Sequence, residues 1–479
     1  MSLLACLLSL LLGSSILPSR LVPDSLKRAP TDSLLQTQCP QYAVVRVGTI
    51  LFAGNEVTKE VVLRAELDFH EGDTLDAATL AARLENNRLR LFNLRLFHSV
   101  IQQTVCRNGE ITVLFAVQER WYTFPIPTLS FAERNFNAWL DRPDRLRRVN
   151  YGLYIVRKNF RGRNEEVRAN VQLGFNRRYE LFYEAPGYGP RRRIGFGAGI
   201  SYTRSRALDY ATIRDRLVTF RPEDGLPLMR QYGSLGLRWR QSVQRFSALD
   251  VAYYKEQVSD SVVELNPVYF LNGPRREYLE LKLTSTLNQR NTFAYPLTGR
   301  FAQVVLSHRI FLTSGNANFT TLVGRYSQYF ALGGNFYYNF NLQSQLRFAQ
   351  RIGYADNRAL GYDSHVRGYD AYVIDGRHYG LARQSVSYRL LDAGKIKLQG
   401  ITNSKINSLP LVIYLNTFTD AGYVLARTTF PENRLPNQLL GAAGVGLHFV
   451  TYYDRVLTVE YTRNGRGEGG FFLRSDFPI

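Results

Sequence analysis

From residue 124 onward the chain repeats one pattern, in which apolar and polar residues alternate over long segments. Examples are VRANVQLGF (167–175), YLELKLTSTL (278–287), NFYYNFNLQSQLRF (335–348) and LTVEYTRN (457–464). Alternation of this kind predicts β-strands with one apolar and one polar face. The same region has no convincing helical periodicity, so the larger part of the chain is predicted to be all-β.

Two all-β architectures use alternating strands, a soluble sandwich and a transmembrane barrel. A sandwich buries its apolar face and is built from shorter strands. A barrel turns that face to lipid and needs strands of about 9–11 residues with many aromatics. The chain has 30 Tyr and 29 Phe and a mean hydropathy of −0.22, which suits a barrel with a wet interior. We therefore predict a transmembrane β-barrel.

The formal net charge of +20 raises the question of an anionic partner such as nucleic acid. Arg168, Arg238, Arg240 and Arg347 all fall on the polar face of their predicted strands, so they would line the lumen. No basic groove with interleaved aromatics of the kind that binds nucleic acid is apparent. A positive lumen accounts for the charge, and we expect no nucleic-acid partner.

The segment LLACLLSLLL (3–12) is the only long apolar run. It is too short to span a bilayer and fits the core of a secretory signal peptide. Cys6 lies too early in this core for a normal lipoprotein site. We predict a signal peptide over residues 1–19 and a flexible tether, rich in Pro, Ser and Asp, over residues 20–41.

A small α+β domain is predicted next, over residues 42–120. Its expected order is β-α-α-β-β: a strand within 42–57, helices near 58–67 and 76–91, and strands at 99–105 and 111–118.

Removal of the signal peptide would leave two cysteines, Cys39 and Cys106. In an oxidising periplasm two cysteines suggest one disulfide. The alternative is a pair of unrelated thiols, and the sequence leaves both open.

Several motifs now stand in a fixed order along the chain. They are VGTILFAGNEV (47–57) with its Gly54-Asn55 turn, EGD (71–73), LRLFHSV (94–100), NFRGRNEEV (159–167), NTFAYPLTG (291–299), VRGYD (366–370) and FTDAG (418–422). This ordered set resembles the BamA-like superfamily, the barrel-assembly and two-partner-secretion transporters of the outer membrane. The resemblance covers roughly residues 45–479.

The resemblance implies a mostly β fold, with one periplasmic POTRA domain over residues 42–120 and a sixteen-stranded antiparallel transmembrane barrel over residues 121–479. Counting alternating segments between the family's turns also gives sixteen strands. Residues 206–228 and 259–275 are then excursions at the cell surface.

In members of this family the sixth surface loop folds back into the lumen, where its Arg meets an Asp on a later strand. The resemblance assigns the loop motif to Val366, Arg367, Gly368, Tyr369 and Asp370, and the strand motif to Phe418, Asp420 and Gly422. Strand parity supports this pairing, because Asp420 shares the inward face with Tyr414, Asn416 and Phe418. An inward carboxylate needs a partner, and a guanidinium offers a bidentate one.

A catalytic or metal site is the alternative interpretation of this loop, built from His365 with Asp370, Asp375 or His378. That set has no Ser or Cys nucleophile at a meaningful spacing, and the histidines lack the context of a metal site. We expect no enzyme activity, no cofactor and no metal.

Two strand edges are candidate client-binding sites. The first is a POTRA edge that would accept an incoming strand by β-augmentation, consisting of Ser99, Val100, Ile101, Gln102, Gln103, Thr104 and Val105. The second is a weak seam, which the family forms between its first and last barrel strands, with Pro125, Pro127, Phe472 and Phe477 as its candidate residues. The two prolines lie two apart, so their missing N–H groups share one strand edge. The alternative is that residues 124–131 are only an interdomain linker.

Three functions remain open. The first is an assembly factor that inserts unfolded β-barrel clients into the outer membrane. The second is a two-partner secretion pore for a polypeptide, and the third is an accessory structural barrel in a larger complex. The expected partners are outer-membrane lipids, unfolded barrel or secreted polypeptide clients, and accessory lipoproteins. The expected location is the outer membrane of a Gram-negative bacterium, with the POTRA domain in the periplasm.

Overall fold

The computed structural model describes residues 42–131, 146, 148–189, 191–222, 225–313, 317–397, 408–427, 432–451 and 455–476. The predicted signal peptide (1–19) and tether (20–41) lie outside these residues. Among the described residues, no helix is both long enough and apolar enough to cross a membrane.

The N-terminal domain is a four-stranded sheet covered by two helices. Its elements are β1 (Val44–Ala53), α1 (Glu60–Arg64), β2 (Thr74–Asp76), α2 (Ala77–Asn93), β3 (Phe97–Arg107) and β4 (Glu110–Glu119). The sheet order is β2-β1-β4-β3. Strands β1 and β4 run parallel, whereas the other pairs are antiparallel. Strand β3 therefore forms an edge of this sheet.

Helix α2 shows why the sequence folds this way locally. Its N-cap is Asp76, whose carboxylate accepts the N–H of Ala78 at 2.8 Å, which satisfies one of the free donors of the first turn. Leu84 and Leu91 lie on the buried face. The core beneath is aliphatic and aromatic: Val45, Val47, Ile50, Leu63, Phe69, Phe97, Ile111, Val113 and Phe115.

The domain departs from the expected β-α-α-β-β order in two details. Strand β2 is an additional element, which pairs antiparallel with β1 through Arg46 and Thr74. With three residues it is too short to show alternation. Helix α1 ends earlier than expected, because the N–H groups of Glu66 and Leu67 bond three residues back and tighten the chain into a turn.

The C-terminal region is a sixteen-stranded antiparallel sheet, as predicted. Its strands are β5 (Thr123–Phe131), β6 (Val149–Phe160), β7 (Glu165–Gly174), β8 (Arg177–Tyr188), β9 (Ile194–Ser205), β12 (Leu228–Arg240), β13 (Arg245–Val258), β14 (Arg275–Asn288), β15 (Gly299–Phe311), β16 (Phe319–Gly333), β17 (Phe336–Ala349), β20 (His378–Lys397), β21 (Ser408–Leu425), β22 (Leu439–Thr451), β23 (Arg455–Asn464) and β24 (Gly469–Asp476). Between them lie the short strands β10 (Leu208–Ile213), β11 (Arg216–Phe220), β18 (Arg358–Leu360) and β19 (Ile374–Asp375), and a short helix α3 (Asp260–Leu265).

The sheet has a polar interior and an apolar exterior. Buried polar residues fall on one parity of their strands: Thr286, Ser327, Gln345, Ser385, Asn416 and Thr462. Exposed apolar residues fall on the other parity: Leu129, Leu153, Leu181, Ile200, Leu235, Leu283, Leu306, Leu342, Leu447 and Phe471. This arrangement inverts a soluble fold and presents an apolar band to lipid.

The sheet has two different ends, called here the POTRA end and the loop end. The chain enters β5 at the POTRA end, so the connections after β5, β7 and each alternate long strand lie at the loop end. The predicted excursions are found there. Residues 206–228 contain the β10–β11 hairpin, and residues 259–275 contain α3. The sixth loop, residues 350–377, carries β18 and β19.

A buried polar cluster joins the POTRA domain to the first strands of the barrel. The Glu119 carboxylate accepts the N–H of Thr58 at 2.7 Å and its hydroxyl at 2.5 Å. The Asn159 amide, near the end of β6, donates to the same hydroxyl at 2.8 Å. All three residues are buried. Burial also raises the pKa of the nearby Tyr122 phenol, which therefore stays neutral and donates to the Leu96 carbonyl.

A second contact holds the POTRA domain against the opposite side of the barrel opening. Arg240, at the end of β12, pairs with Glu66 at 2.5 Å, and Asn93 donates to the Asn291 carbonyl at 3.0 Å. Asn291 belongs to the NTFAYPLTG turn, so the C-terminal end of α2 contacts this turn of the barrel.

Cys106, near the end of β3, is disulfide-bonded. Its expected partner, Cys39, lies outside the described residues, so the pairing of these two cysteines stays a prediction.

The first testable prediction concerns the polar cluster at the interdomain junction. Thr58→Val removes the hydroxyl shared by Glu119 and Asn159 and leaves two buried groups short of a partner, at about 1–3 kcal/mol each. We expect amide hydrogen exchange at residues 56–60 and 159–164 to accelerate by about tenfold or more. The control is Thr49→Val at an exposed position of β1. Wild-type exchange in Thr58→Val would contradict this role of the cluster.

Candidate functional site: a braced lumen and an open sheet edge

The sixth loop enters the sheet interior, where it brings Arg367 against Asp420. The guanidinium donates to both carboxylate oxygens, from Nε at 2.9 Å and from Nη2 at 2.6 Å. The backbone N–H of Arg367 donates a third bond to Asp420 at 3.1 Å. The same guanidinium lies 3.6 Å from the centre of the Phe418 ring. The Asp420 side chain is 0 % exposed and that of Arg367 is 16 % exposed, so the carboxylate is fully withdrawn from water and its partner is largely so.

The neighbouring residues of the two motifs make this approach sterically feasible. Gly368 has φ +84, and a Cβ there would lie 2.8 Å from the Thr462 side chain. Its carbonyl accepts from the Asn464 amide at 2.9 Å. Gly422 leaves room for Val366, since a Cβ at Gly422 would lie 2.5 Å from the Val366 side chain. At Gly368 and Gly422 a neighbouring side chain therefore lies too close to the backbone for any larger residue.

The ion pair extends into a chain of charges along β23 and β24. Arg367 also contacts Glu460 at 3.3 Å, and Glu460 pairs with His448 and Arg474. Arg474 in turn binds Asp370 of the loop motif at 2.6 Å. The loop is thus tied to the last strands of the sheet as well as to β21.

A second anchor holds the first part of the loop. Asp356 is buried and pairs with Arg276 at 2.5 Å and with Arg309 at 2.8 Å. Arg276 continues to Glu256 at 2.5 Å. It also lies 4.0 Å from the centre of the Phe270 ring. The loop is therefore fixed at two separate places on the inner wall.

The structure does not gather the histidines and carboxylates of the alternative catalytic interpretation. His365 contacts Asp370 at 3.3 Å, but Asp375 accepts from Tyr362 at 2.6 Å. His378 accepts the N–H of Arg347 at 3.2 Å. Among the described residues no group of three His, Cys, Asp or Glu could hold a metal ion.

The open edge of the sheet is the second candidate site. Within the described ranges, the ladder ends at β5 on one side and at β24 on the other, and no pairing joins them. The Lys158 N–H donates to the Tyr122 carbonyl at 2.8 Å and continues the β5–β6 register. Hydrogen-bonding directions alternate along an antiparallel ladder. The backbone nitrogens of Pro125 and Pro127 therefore face away from β6. Their missing donors therefore lie on the open edge of β5.

The same reasoning applies to β24. The Asn464 N–H donates to the Glu468 carbonyl at 2.9 Å, in register with the β23–β24 ladder. Phe472 is paired with Glu460, so its backbone groups face β23, whereas those of Phe471 and Leu473 face the open edge. Phe472 thus lies on the edge strand β24, as expected for a seam residue, and the backbone groups beside it that face the open edge are those of Phe471 and Leu473. Phe477 lies outside the described residues.

The predicted client-binding edge of the POTRA domain lies within β3. Residues 99–105 pair with β4 on one side only. Ile101 is 57 % exposed along this edge, so an apolar side chain lies beside a strand edge that no other strand of the described residues covers.

Sequence reasoning missed Glu460, Arg474 and Asp356. Glu460 carried a usable signal, because Val459 and Tyr461 mark the outer face of β23 and so turn Glu460 inward. Asp356 follows no strand parity, since it lies in a one-turn 3-10 helix, Tyr354–Asp356.

The second prediction compares two aspartates of the same network. Asp420→Asn removes the buried partner of Arg367, and breaking a buried pair costs about 3–5 kcal/mol. Asp370→Asn should cost less, because the Asp370 side chain is 25 % exposed. We expect Asp420→Asn to lower the temperature at which the folded band disappears in semi-native electrophoresis by clearly more than Asp370→Asn. Equal shifts would contradict the central place given to Asp420.

The third prediction tests the second loop anchor. Asp356→Asn weakens two ion pairs, one with the buried Arg276 and one with the partly exposed Arg309, so we expect faster proteolytic cleavage within residues 350–377. Asp363→Asn is the matched control, since Asp363 is an exposed carboxylate of the same loop. Identical cleavage rates in both variants would show that Asp356 does not hold the loop.

Two family models match the chain. The Omp85 superfamily domain matches residues 159–451, and the POTRA model, described as surface antigen variable number repeat, matches residues 45–120. A search of the curated proteins returns no match.

Several solved structures are similar to this chain. CdiB from Escherichia coli aligns with a TM-score of 0.53 at 12% identity, over 90% of this chain and 76% of that chain. BamA from Haemophilus ducreyi lacking POTRA domains 1-3 aligns at 0.49 and 15% identity, over 90% and 84%. CdiB from Acinetobacter baumannii aligns at 0.49 and 17% identity, over 91% and 74%.

The first model alone covers more than half of the sequence, and its bounds enclose both the sixth-loop motif and the strand motif that meets it. The chain therefore belongs to the Omp85 superfamily of outer-membrane β-barrel proteins, and it carries a POTRA domain ahead of its barrel.

Proposed function

We propose that the protein assembles β-barrel clients in the outer membrane, by pairing an unfolded client strand with the open edge of its own sheet. The observation that carries this proposal is the edge of β5. There, two prolines remove donors that β24 would otherwise use to close the sheet. A client strand competes best where the existing pairing is weakest.

The POTRA edge offers an earlier docking step. An extended client segment adds to β3 as a further strand, since backbone hydrogen bonds give affinity that does not depend on one sequence. Contacts of the POTRA domain with Arg240 and Asn159 hold this edge close to the barrel opening. The client then passes from a periplasmic strand edge to a membrane strand edge.

No cofactor or nucleotide is needed for insertion. Burial of apolar client surface in lipid supplies about 25 cal/mol per Å², and closure of the client's own barrel removes its unpaired edges. The protein contributes an open strand edge with which the client strand can pair. At this edge the apolar surface that faces lipid is interrupted.

Secretion of a polypeptide through the lumen is the second candidate. The fold likeness to CdiB from Escherichia coli favours keeping it. The ion pairs of Arg367 and Asp356 count against it, since both must break before a chain can pass through the interior.

The proposed setting is the outer membrane of a Gram-negative bacterium, with the POTRA domain in the periplasm. The proposed partners are membrane lipids and unfolded barrel clients, with accessory lipoproteins as further candidates.

Depletion of the protein followed by quantification of the outer-membrane and secreted proteomes tests the proposal. Assembly requires a broad loss of barrel proteins. Loss of a single secreted polypeptide with intact barrels would favour the secretion pore. Unchanged levels of both would overturn the two candidates together.

The fourth prediction addresses the seam. Pro125→Val with Pro127→Val restores two N–H donors to the open edge of β5, so the edge should pair more firmly with β24. We expect the double variant to remain folded and to rescue depleted cells less well than the wild type. Pro267→Val, in the α3 loop, is the control. Full rescue by the double variant would contradict a function of the weak edge.

A further inference from the structure

A cavity of about 560 Å³ lies among the loops at the loop end of the barrel, and arginines dominate its lining. Three separate segments contribute the four arginines. Arg214 and Arg216 come from the β10–β11 hairpin, Arg434 from the loop after β21, and Arg466 from the turn between β23 and β24. Tyr372 of the sixth loop is buried among them.

Two of these guanidinium groups have carboxylate partners and two do not. Arg214 pairs with Glu432 at 2.8 Å, and Arg466 pairs with Glu468 at 3.5 Å. Within the described ranges, the side chains of Arg216 and Arg434 make no hydrogen bond or ion pair.

The Tyr372 ring lies beside two of the arginines that line the cavity. The guanidinium of Arg216 lies 5.4 Å from the centre of the Tyr372 ring, and that of Arg466 lies 5.3 Å from the same ring. The ring therefore faces two cations. The Tyr372 hydroxyl donates to Glu468 at 2.7 Å, which fixes the position of the ring.

A buried aspartate fixes the geometry of the arginine-bearing loops. Asp215 is 2 % exposed, and its carboxylate accepts the backbone N–H of Arg434 at 3.0 Å and of Leu435 at 3.1 Å. Its own backbone carbonyl accepts the N–H of Val373 at 2.9 Å. Asp215 thus joins the hairpin to the loop after β21 through its side chain and to the sixth loop through its backbone carbonyl.

The tip of the β10–β11 hairpin has backbone dihedral angles that residues other than glycine rarely adopt. The contacts of Asp215 stabilise this conformation. Arg214 and Asp215 have φ of +53 and +59, where Asn or Gly is usual for a two-residue turn. This conformation directs the side chains of Arg214 and Arg216 toward the same cavity while Asp215 turns inward.

The charge balance selects the class of ligand. Arg216 and Arg434 present two guanidinium groups without a carboxylate partner, and the four arginines of the lining outnumber its two carboxylates, Asp215 and Glu432, so the lining carries a net positive charge. A phosphate monoester carries about −1.5 to −2 near neutral pH. Phosphate oxygens accept bidentate bonds from more than one arginine. A single carboxylate would neutralise only one of the two cations.

We propose that this cavity, called here the arginine cavity, binds a phosphate group presented outside the membrane. The group belongs either to a phosphorylated glycolipid of the surrounding leaflet or to free phosphate. The site is separate from the seam, the POTRA edge and the loop anchors. Phosphate binding can therefore be tested independently of the proposed assembly function.

The test uses the full chain in detergent micelles at low ionic strength. Four probes are titrated: diphosphorylated lipid A, enzymatically dephosphorylated lipid A, sodium phosphate and a poly-glutamate peptide. The variant is Arg216→Gln with Arg434→Gln. The matched control is Arg177→Gln with Arg178→Gln, two exposed arginines at the loop end of β8. Heat-modifiable mobility in electrophoresis confirms that each variant is folded.

The proposal expects at least one phosphorylated probe to bind with an affinity that falls about tenfold or more in the variant and is unchanged in the control. Dephosphorylation of lipid A should lower its affinity for the wild-type protein by a similar factor. Binding of lipid A competed by sodium phosphate identifies a headgroup site, whereas binding of sodium phosphate alone identifies a free-phosphate site. Equal affinity in wild type and variant, equal losses in variant and control, or stronger binding of poly-glutamate would overturn the proposal.

Discussion

The buried ion pair between Arg367 and Asp420 is the interaction around which the barrel interior is organised. A carboxylate with no exposed surface is costly unless its charge is matched and its oxygens accept hydrogen bonds. Asp420 receives three donors from one residue of the sixth loop. The need for these donors explains why a long loop folds into the lumen. It also explains the glycines at positions 368 and 422, which allow the loop to approach the strands closely.

The same loop connects distant parts of the sheet. Through Glu460 and Arg474 it reaches the last two strands, and through Asp356 it reaches the wall formed by β14 and β15. The interior is therefore braced across its width, whereas the sheet edge between β5 and β24 is short of backbone hydrogen bonds. A rigid interior next to a weak edge concentrates any opening of the sheet at that edge.

Strand parity made most of the barrel predictable. Alternation, counted against the turns of the family that the chain resembles, gave the sixteen strands and turned Asp420 inward, and the resemblance supplied its partner, Arg367. The parts that were missed depend on register and on loop conformation. Which residues of β24 turn their backbone groups to the open edge, Phe471 and Leu473, follows from the turn that precedes β24 and not from alternation. The junction of Thr58, Glu119 and Asn159 joins residues about one hundred positions apart, a separation that no local pattern encodes. Strand β2 was missed because three residues carry no periodicity.

The measurement that tests the central claim most directly is site-specific photo-crosslinking during client assembly. A photoreactive amino acid at position 129, on the outer face of β5, is compared with one at position 283, on the outer face of β14. Leu129 and Leu283 are both exposed apolar side chains, but only β5 borders the seam. The account predicts adducts with unfolded barrel proteins at position 129 and none at position 283. Equal adducts at both positions, or none at 129 while clients are being assembled, would contradict it.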